Sequence, residues 1–370
     1  MLSMRTGPES DDRMVYKPDS LRSFRSGVLL CLWTFGMFCL TTQGEEIESA
    51  TSAQRYEFQR IRMGVPWKMA FYASSTEQAA LAERDAFARI QEIDRILSDY
   101  DPDSELNQVC RNAKPGQPMS VSPDLFFVLQ SSLKYADLSG GAFDVTVGHI
   151  TDLWRRAYRK SELPEEIRLQ AALALTGYQA ISLDPGKQTV TLQKAEMKLD
   201  FGGIAKGYAA DEAMKVLRKH GITSALIDAS GDLVVSDAPP DRQGWVIGIA
   251  PLKRPEGEPE QFLQLVNCSV ATSGDASRYV EIDGVRYSHL VNPQTGIGLT
   301  ESSSVTVIAP DGTTSDALAS VVSVMGAERG FKILPELKAE ALVVTRPKGK
   351  EVSVQTCGFS RYLVPGDDSR

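Results

Sequence analysis

Leu199-Asp-Phe-Gly-Gly-Ile-Ala-Lys-Gly-Tyr-Ala-Ala-Asp211 reads as a strand that delivers a glycine turn and a lysine to the start of a helix. The apolar lead-in stops at Gly202 and Gly203, after which Ala209, Ala213, Met214 and Leu217 recur at helical spacing as far as His220 and a closing Gly221. Glycines let backbone amides approach an anion, a helix N-terminus carries partial positive charge, and Lys206 adds a full one. The glycine spacing and the lack of Ser or Thr after the lysine exclude a Walker A loop. Two readings stay open from the stretch alone: a phosphate site, or a tight strand-to-helix connection with Lys206 in solvent.

Towards the N-terminus, Gln54 to Ala73 carries alternating apolar positions around Met63-Gly64, which predicts a pair of strands. Ser74 with Glu77 reads as a capping box, and Leu81, Phe87, Ile90, Ile93 and Leu97 give the helix behind it one apolar face. The following turn, Ser98-Asp-Tyr-Asp-Pro-Asp-Ser-Glu-Leu-Asn107, has the composition of a solvated loop. Ser122-Pro123-Asp124 supplies an N-cap, a proline at the first helical position and an acidic first turn for a helix running to Gly140-Gly141. Asp144 then stands among apolar neighbours. A carboxylate there is costly to bury unless paired, so it either caps structure or contacts a ligand. A helix from Pro164 to Leu175 and a hairpin of Tyr178 to Leu183 with Thr189 to Leu192 lead into the glycine stretch.

Beyond it, Ala225 to Asp232 reads as a strand ending in a glycine turn with two carboxylates, with further strands at Trp245 to Ile249 and Leu263 to Val266. Asp283-Gly284 is the strongest hairpin signal in the chain, and His289 sits on its second arm before Asn292-Pro293. His149 and His220 have simple structural readings; His289, near a strand end and a turn, is the histidine with a functional one. Ser303 to Ile308 is another strand, and Pro310 to Ser315 is a turn capping a helix from Asp316 to Gly326. On that helix Asp316 and Ser320 share one face in the first turn. Such oxygens suit magnesium, which completes its shell with water and substrate phosphates; the plainer reading is that Asp316 only favours the helix dipole. Strands at Ala341 to Thr345 and Glu351 to Gln355 close the core. Hairpins outnumber strand-helix-strand units, so the expected fold is α+β, with mixed, largely antiparallel sheets flanked by helices.

With 42% hydrophobic and 24% charged residues over 370 positions, the chain is ordinary globular material with no repeats and no low-complexity linker. A formal charge of −8 argues against a nucleic-acid binder and leaves a small molecule or another protein as partner. Val28 to Leu40 is an uncharged apolar run, preceded by Arg22 and Arg25 and followed by Thr-Thr-Gln-Gly-Glu-Glu. Residues 1–44 therefore read as a signal peptide or N-terminal membrane anchor, with the mature domain over 45–370. Past this leader, Cys110, Cys268 and Cys357 lack metal-ligand spacing; buried unpaired thiols are the plainer expectation, one bridge with one free thiol the alternative.

Taken in order, SGGAFDVTVG (139–148), LDFGGIAKGYAAD (199–211), IDASGD (227–232), VATSGDASRY (270–279), YSHLVNPQTG (287–296) and SDALAS (315–320) resemble the ApbE family of FAD:protein FMN transferases. The resemblance runs from about Tyr56 to Val344. It implies an ApbE-like (T-fold-like) flavoprotein enzyme secreted to the periplasm or the extracytoplasmic face of the membrane, which uses magnesium to split FAD and moves FMN onto a Thr or Ser hydroxyl of an acceptor flavoprotein, with AMP as leaving group. It also implies roles: Met63, Ala142, Phe143, Asp144, Asp200, Lys206 and Leu290 contact FAD. The main-chain oxygen of Gly203 and the side chains of Asp316 and Ser320 hold the metal, His289 is the base for the acceptor hydroxyl, and Lys206 offsets developing charge. Two departures from the family pattern are Ser320 where Thr is usual and Ser230 where a second glycine is common. An FAD pyrophosphatase using water, and a non-catalytic extracytoplasmic flavin-binding protein, are the alternatives.

Overall fold

β1 (Gln54–Arg62) and β2 (Val65–Ala73) form the expected hairpin, turned by Met63 and Gly64, both left-handed at φ 49° and 72°. They open a computed structural model that describes residues 53–252, 257–259, 261–274 and 278–364. The expected leader and the Asp275-Ala-Ser277 part of one motif lie outside the described residues.

The long helix α1 (Thr76–Leu97) is capped one residue later than expected. Ser75 Oγ accepts the Gln78 amide at 3.1 Å while Gln78 Oε1 accepts the Ser74 amide at 2.8 Å, so Gln78, not Glu77, completes the box. Phe87, Ile90, Ile93 and Leu97 are buried as predicted, but Leu81 is 46% exposed and Ala79, Ala82 and Ala86 fill the face instead. Small residues there let α1 lie close against the glycine-turn helix. The acidic turn after α1 is not a loose loop: Asn107 Nδ2 donates to the Ser98 and Asp101 carbonyls at 3.2 and 2.7 Å, and α2 (Glu105–Asn112) starts at once on a Ser104 cap.

β3 (Pro118–Ser120) leads to α3 (Pro123–Ser139), which has the predicted Ser122 cap and ends on Gly140 at φ 60°. Next comes α4 (Gly148–Lys160), a helix absent from the expectations above. Its apolar side is only Ile150, Trp154 and Ala157, and five charged residues on the same 13-residue helix mask that spacing. α5 (Glu166–Leu175), β4 (Ile181–Asp184) and β5 (Thr189–Leu192) follow as predicted, except that Tyr178–Ala180 is a single 3₁₀ turn. Leu199-Asp200 forms no strand. It is extended chain tied to the loop before α4 by the Asp200 amide to Val145 O (2.8 Å) and the Gly148 amide to Lys198 O (3.1 Å).

α6 (Ala205–Lys219) is followed by β6 (Ala225–Asp228) and β7 (Asp232–Val235), a hairpin rather than a strand end. β8 (Trp245–Ile249) and β9 (Gln261–Leu265) pair, as do β11 (Tyr279–Ile282) and β12 (Val285–Ser288) after β10 (Cys268–Gly274). β13 (Ser303–Ala309) precedes α7 (Gly312–Met325), and β14 (Glu340–Thr345) and β15 (Val352–Gln355) end the core. α7 starts four residues earlier than expected because Asp311 Oδ1 accepts the Thr314 amide at 2.8 Å. Asp316 therefore stands in the second turn, which removes the helix-dipole reading for it.

The expected α+β class is borne out. Eight strands form one sheet in the order β1-β2-β6-β7-β10-β13-β14-β15, every neighbouring pair antiparallel. Helices α1, α3, α6 and α7 share a large core with one face of it, where Trp67, Phe71, Ile90 and Leu217 are fully enclosed; burial of each such side chain contributes about 1.5–3 kcal/mol. The β8–β9 hairpin covers the other face through Trp245, Leu263 and Leu265. α4, α5 and the β11–β12 hairpin share a third cluster around Ile150 and Trp154. Cys110, Cys268 and Cys357 are unpaired thiols, and Cys357 is exposed rather than buried. No helix among the described residues is long and apolar enough to cross a membrane.

Candidate active site

Two glycines decide how α6 and α7 meet. A Cβ on Gly207 would overlap the Gly312 carbonyl oxygen, and one on Gly312 would lie 2.6 Å from the Gly207 carbonyl, so the helices cross backbone on backbone. The contacts run in opposite senses along the two helices. Asp211 meets the start of α7, accepting the Gly312 amide (2.7 Å) and the Thr313 amide and hydroxyl (2.8 and 2.6 Å). Asp316 Oδ2 accepts the Gly207 amide at 3.0 Å. Further along, a Cβ on Gly203 would lie 2.8 Å from Ser320 Oγ and 3.3 Å from the Phe143 ring. Gly203, Asp316, Ser320 and Phe143, scattered over the sequence, thus converge.

Lys206, in the first turn of α6, is not in solvent: it forms an ion pair with Asp232, the first residue of β7, whose side chain is 7% exposed against 26% for the lysine. Asp232 is aimed there by a tight turn in which Ser230 and Gly231 are both left-handed, at φ 60° and 105°. Ser230 thus takes the backbone conformation that glycine adopts at no steric cost.

Asp200 is held by three donors. Oδ1 accepts the Gly202 amide (2.8 Å), and Oδ2 accepts Thr151 Oγ1 (2.8 Å) and Arg155 Nη2 (3.1 Å), both from α4. Asp144 is buried with its Oδ1 accepting the Thr146 amide and hydroxyl (2.8 and 2.6 Å) and its Oδ2 the Tyr178 amide (2.9 Å). Burial raises its pKa against those bonds. Of its two open readings, this geometry fits structural capping, of the Thr146 turn and of the Tyr178 amide 34 residues on. Ala142, half-buried, donates its amide to Ser139 O at 3.3 Å.

His289 lies one residue past β12, half-buried, with Nδ1 3.2 Å from the Arg278 carbonyl. Leu290 follows, its amide on Ser288 Oγ (3.1 Å) and its carbonyl on the Leu299 amide (2.9 Å). α4 links this corner to the glycine turn: Tyr158 Oη donates to the Arg278 and Tyr287 carbonyls (3.3 and 3.1 Å), Trp154 Nε1 to the Gly296 carbonyl (2.7 Å), and Thr151 and Arg155 reach Asp200 on the same helix. Met63 stands apart in the β1–β2 turn, half-buried against the main core.

Sequence reasoning passed over Thr151, Arg155, Asp99, Asp211 and the partner role of Asp232. For the first two the available signal was the Ile150/Trp154/Ala157 spacing; for Asp211 and Asp232 it was a carboxylate beside apolar residues, which names no partner, and Asp99 stands in a polar turn that gives none. Among the described residues no group of three or more His, Cys, Asp or Glu side chains is placed to hold a metal. The donors gathered here are one carboxylate, one hydroxyl and the Gly203 main chain, hard oxygens too few to close a shell, which suits magnesium finished by water and phosphate.

The ApbE family model matches residues 63–343. An FAD:protein FMN transferase of Treponema pallidum is 34% identical over 273 residues, covering 70% of this chain and 74% of that protein. One from Klebsiella pneumoniae is 31% identical over 296 residues, covering 79% and 89%. The solved structure of the flavin transferase ApbE from Vibrio cholerae superposes with a TM-score of 0.75 at 25% identity, over 84% of this chain and all of that one. The family match over residues 63–343 and these relatives show that the chain belongs to the ApbE family.

Proposed function

We propose that this protein transfers FMN from FAD to a Thr or Ser hydroxyl of an acceptor flavoprotein and releases AMP. The acceptor oxygen bonds to the FMN phosphorus, the phosphoanhydride bond breaks, the bridging oxygen leaves with AMP, and the hydroxyl proton passes to His289 Nε2. Support comes chiefly from the convergence of Gly203, Asp316 and Ser320, since phosphoryl-type transfer depends on charge neutralisation and positioning more than on a protein nucleophile. The Gly203 carbonyl, Asp316 and Ser320 would hold magnesium, which when bound neutralises pyrophosphate charge. Lys206 supplies a cation at the same turn, already drawn towards Asp232. The carbonyl of Arg278 beside His289 Nδ1 favours the tautomer with its proton there, leaving Nε2 to accept. Asp200, Phe143 and Ala142 would contact the flavin nucleotide beside the glycine turn, and Met63 and Leu290 are the further FAD contacts that the family resemblance implies. The apolar run of residues 28–40 supports work on the extracytoplasmic face, free or membrane-anchored.

Incubation with FAD, magnesium and a flavoprotein acceptor is expected to add one FMN to the acceptor, read by mass spectrometry. AMP released at the same rate with and without acceptor would instead make the protein a pyrophosphatase. His289→Ala should lower transfer by about 10²- to 10⁴-fold while leaving FAD binding within a few-fold.

A further inference from the structure

Arg155 has a charge arrangement that helix packing alone does not require. Its Nη2 lies 2.5 Å from Asp99 Oδ2 and 3.1 Å from Asp200 Oδ2, and its guanidinium carbon sits 4.2 Å from the centre of the Tyr100 ring. Asp152 is also near, at 3.4 Å, but Asp152 has its own cation in Lys198. The charge of Arg155 therefore serves Asp99 and Asp200, whose side chains are only 10% and 8% exposed. Two nearly buried carboxylates share one guanidinium, and three separate stretches of chain, 98–103, 148–160 and 199–203, meet on it. Burial and the neighbouring Asp200 charge push the Asp99 pKa up, and Arg155 opposes them.

We propose that Arg155 is a positioning residue for the nucleotide site: it fastens the Asp99–Tyr100 turn to Asp200 and thereby fixes the Asp200 carboxylate beside the glycine turn. The inference rests on the FAD-binding reading above. Without the guanidinium, Asp99 and Asp200 repel each other, and Asp200 keeps only Thr151 and the Gly202 amide to orient it. The damage from losing Arg155 should then come largely from Asp99. A purely structural arginine would give a loss that removing Asp99 does not repair.

The test is a titration of FAD with magnesium, without acceptor, followed by flavin fluorescence, on the unsubstituted protein and on Arg155→Ala, Arg155→Lys, Asp99→Asn and the Arg155→Ala/Asp99→Asn double variant. Arg155→Ala is expected to weaken FAD binding about tenfold or more, the scale of a lost charge-assisted contact. Asp99→Asn should change it less than about threefold, and the double variant should recover most of the Arg155→Ala loss, a non-additivity expected only of coupled groups. In transfer assays KM for FAD should move and kcat should not. Arg155→Lys, which keeps the charge but loses the planar stack on Tyr100, should be intermediate and decides the matter if Arg155→Ala does not fold. Unchanged FAD binding by the Arg155 variants, or a double variant no better than Arg155→Ala, overturns the inference alone. Failure of the unsubstituted protein to bind FAD overturns the functional reading and this inference with it.

Discussion

Lys206 and Asp232 show what a single residue can and cannot disclose. A lysine after a glycine turn suggests an anion, yet its nearest charge in the folded chain is a carboxylate from a strand 26 positions on. Because the aspartate is the more buried partner, the two truncations are unequal. Lys206→Met strands an almost enclosed carboxylate and should destabilise by about 3 kcal/mol, whereas Asp232→Asn leaves a lysine that can turn to water and should cost about 1 kcal/mol. Urea unfolding of the two variants checks the order; equal losses would contradict it. Asp144 and Asp200 make the same point. The sequence context of Asp144 marked it as needing partners, which proved to be the Thr146 and Tyr178 amides, whereas Asp200, named only through the family resemblance, is held by a helix.

At the scale of elements, the site depends on the crossing of α6 and α7. Adding one methyl at Gly207 drives a Cβ into the Gly312 carbonyl, which is backbone and cannot turn aside. Gly207→Ala should therefore cost at least about 2–3 kcal/mol and weaken magnesium-dependent FAD binding by separating Gly203 from Ser320. Gly349→Ala is the matched control: its φ of 81° brings backbone strain but open space, so about 1 kcal/mol is expected with FAD binding intact. Chemical denaturation and FAD titration of both variants separate strain from displacement. α4 was the element least legible beforehand and the one that joins most of the site. One of the charges that hid it, Arg155, is spent on Asp200 and Asp99, and another, Asp152, pairs with Lys198.

Over the whole molecule, burial of a few carboxylates sets a pH dependence. Burial pushes Asp211 from its ordinary 3.8 to about 6, against hydrogen bonds from Thr313 and Gly312. The raised value means the folded protein binds this proton more tightly than the unfolded chain. The stability it contributes is then full below about pH 4 and lost as pH rises through about 6, at up to about 1.4 kcal/mol per unit. Asp211→Asn cannot titrate, so the difference in unfolding free energy between it and the unsubstituted protein should change between pH 4 and 6 and be flat above 7. A difference independent of pH across that window would remove Asp211 as the cause. The sequence by itself determined the hairpins at Met63-Gly64 and Asp283-Gly284, the helices opening at Ser122-Pro123 and after the glycine turn, and the order of motifs that names the family. These rest on period, turn chemistry and capping, which act within a few residues of one another. The meeting of Ser320 with Gly203 was implied by the family resemblance, but only the tertiary structure decided that Gly207 lies against Gly312 and that Asp99 and Asp200 share Arg155. Each is a contact between stretches dozens to a hundred residues apart, set by packing of the helices on the sheet, and no local pattern carries that distance.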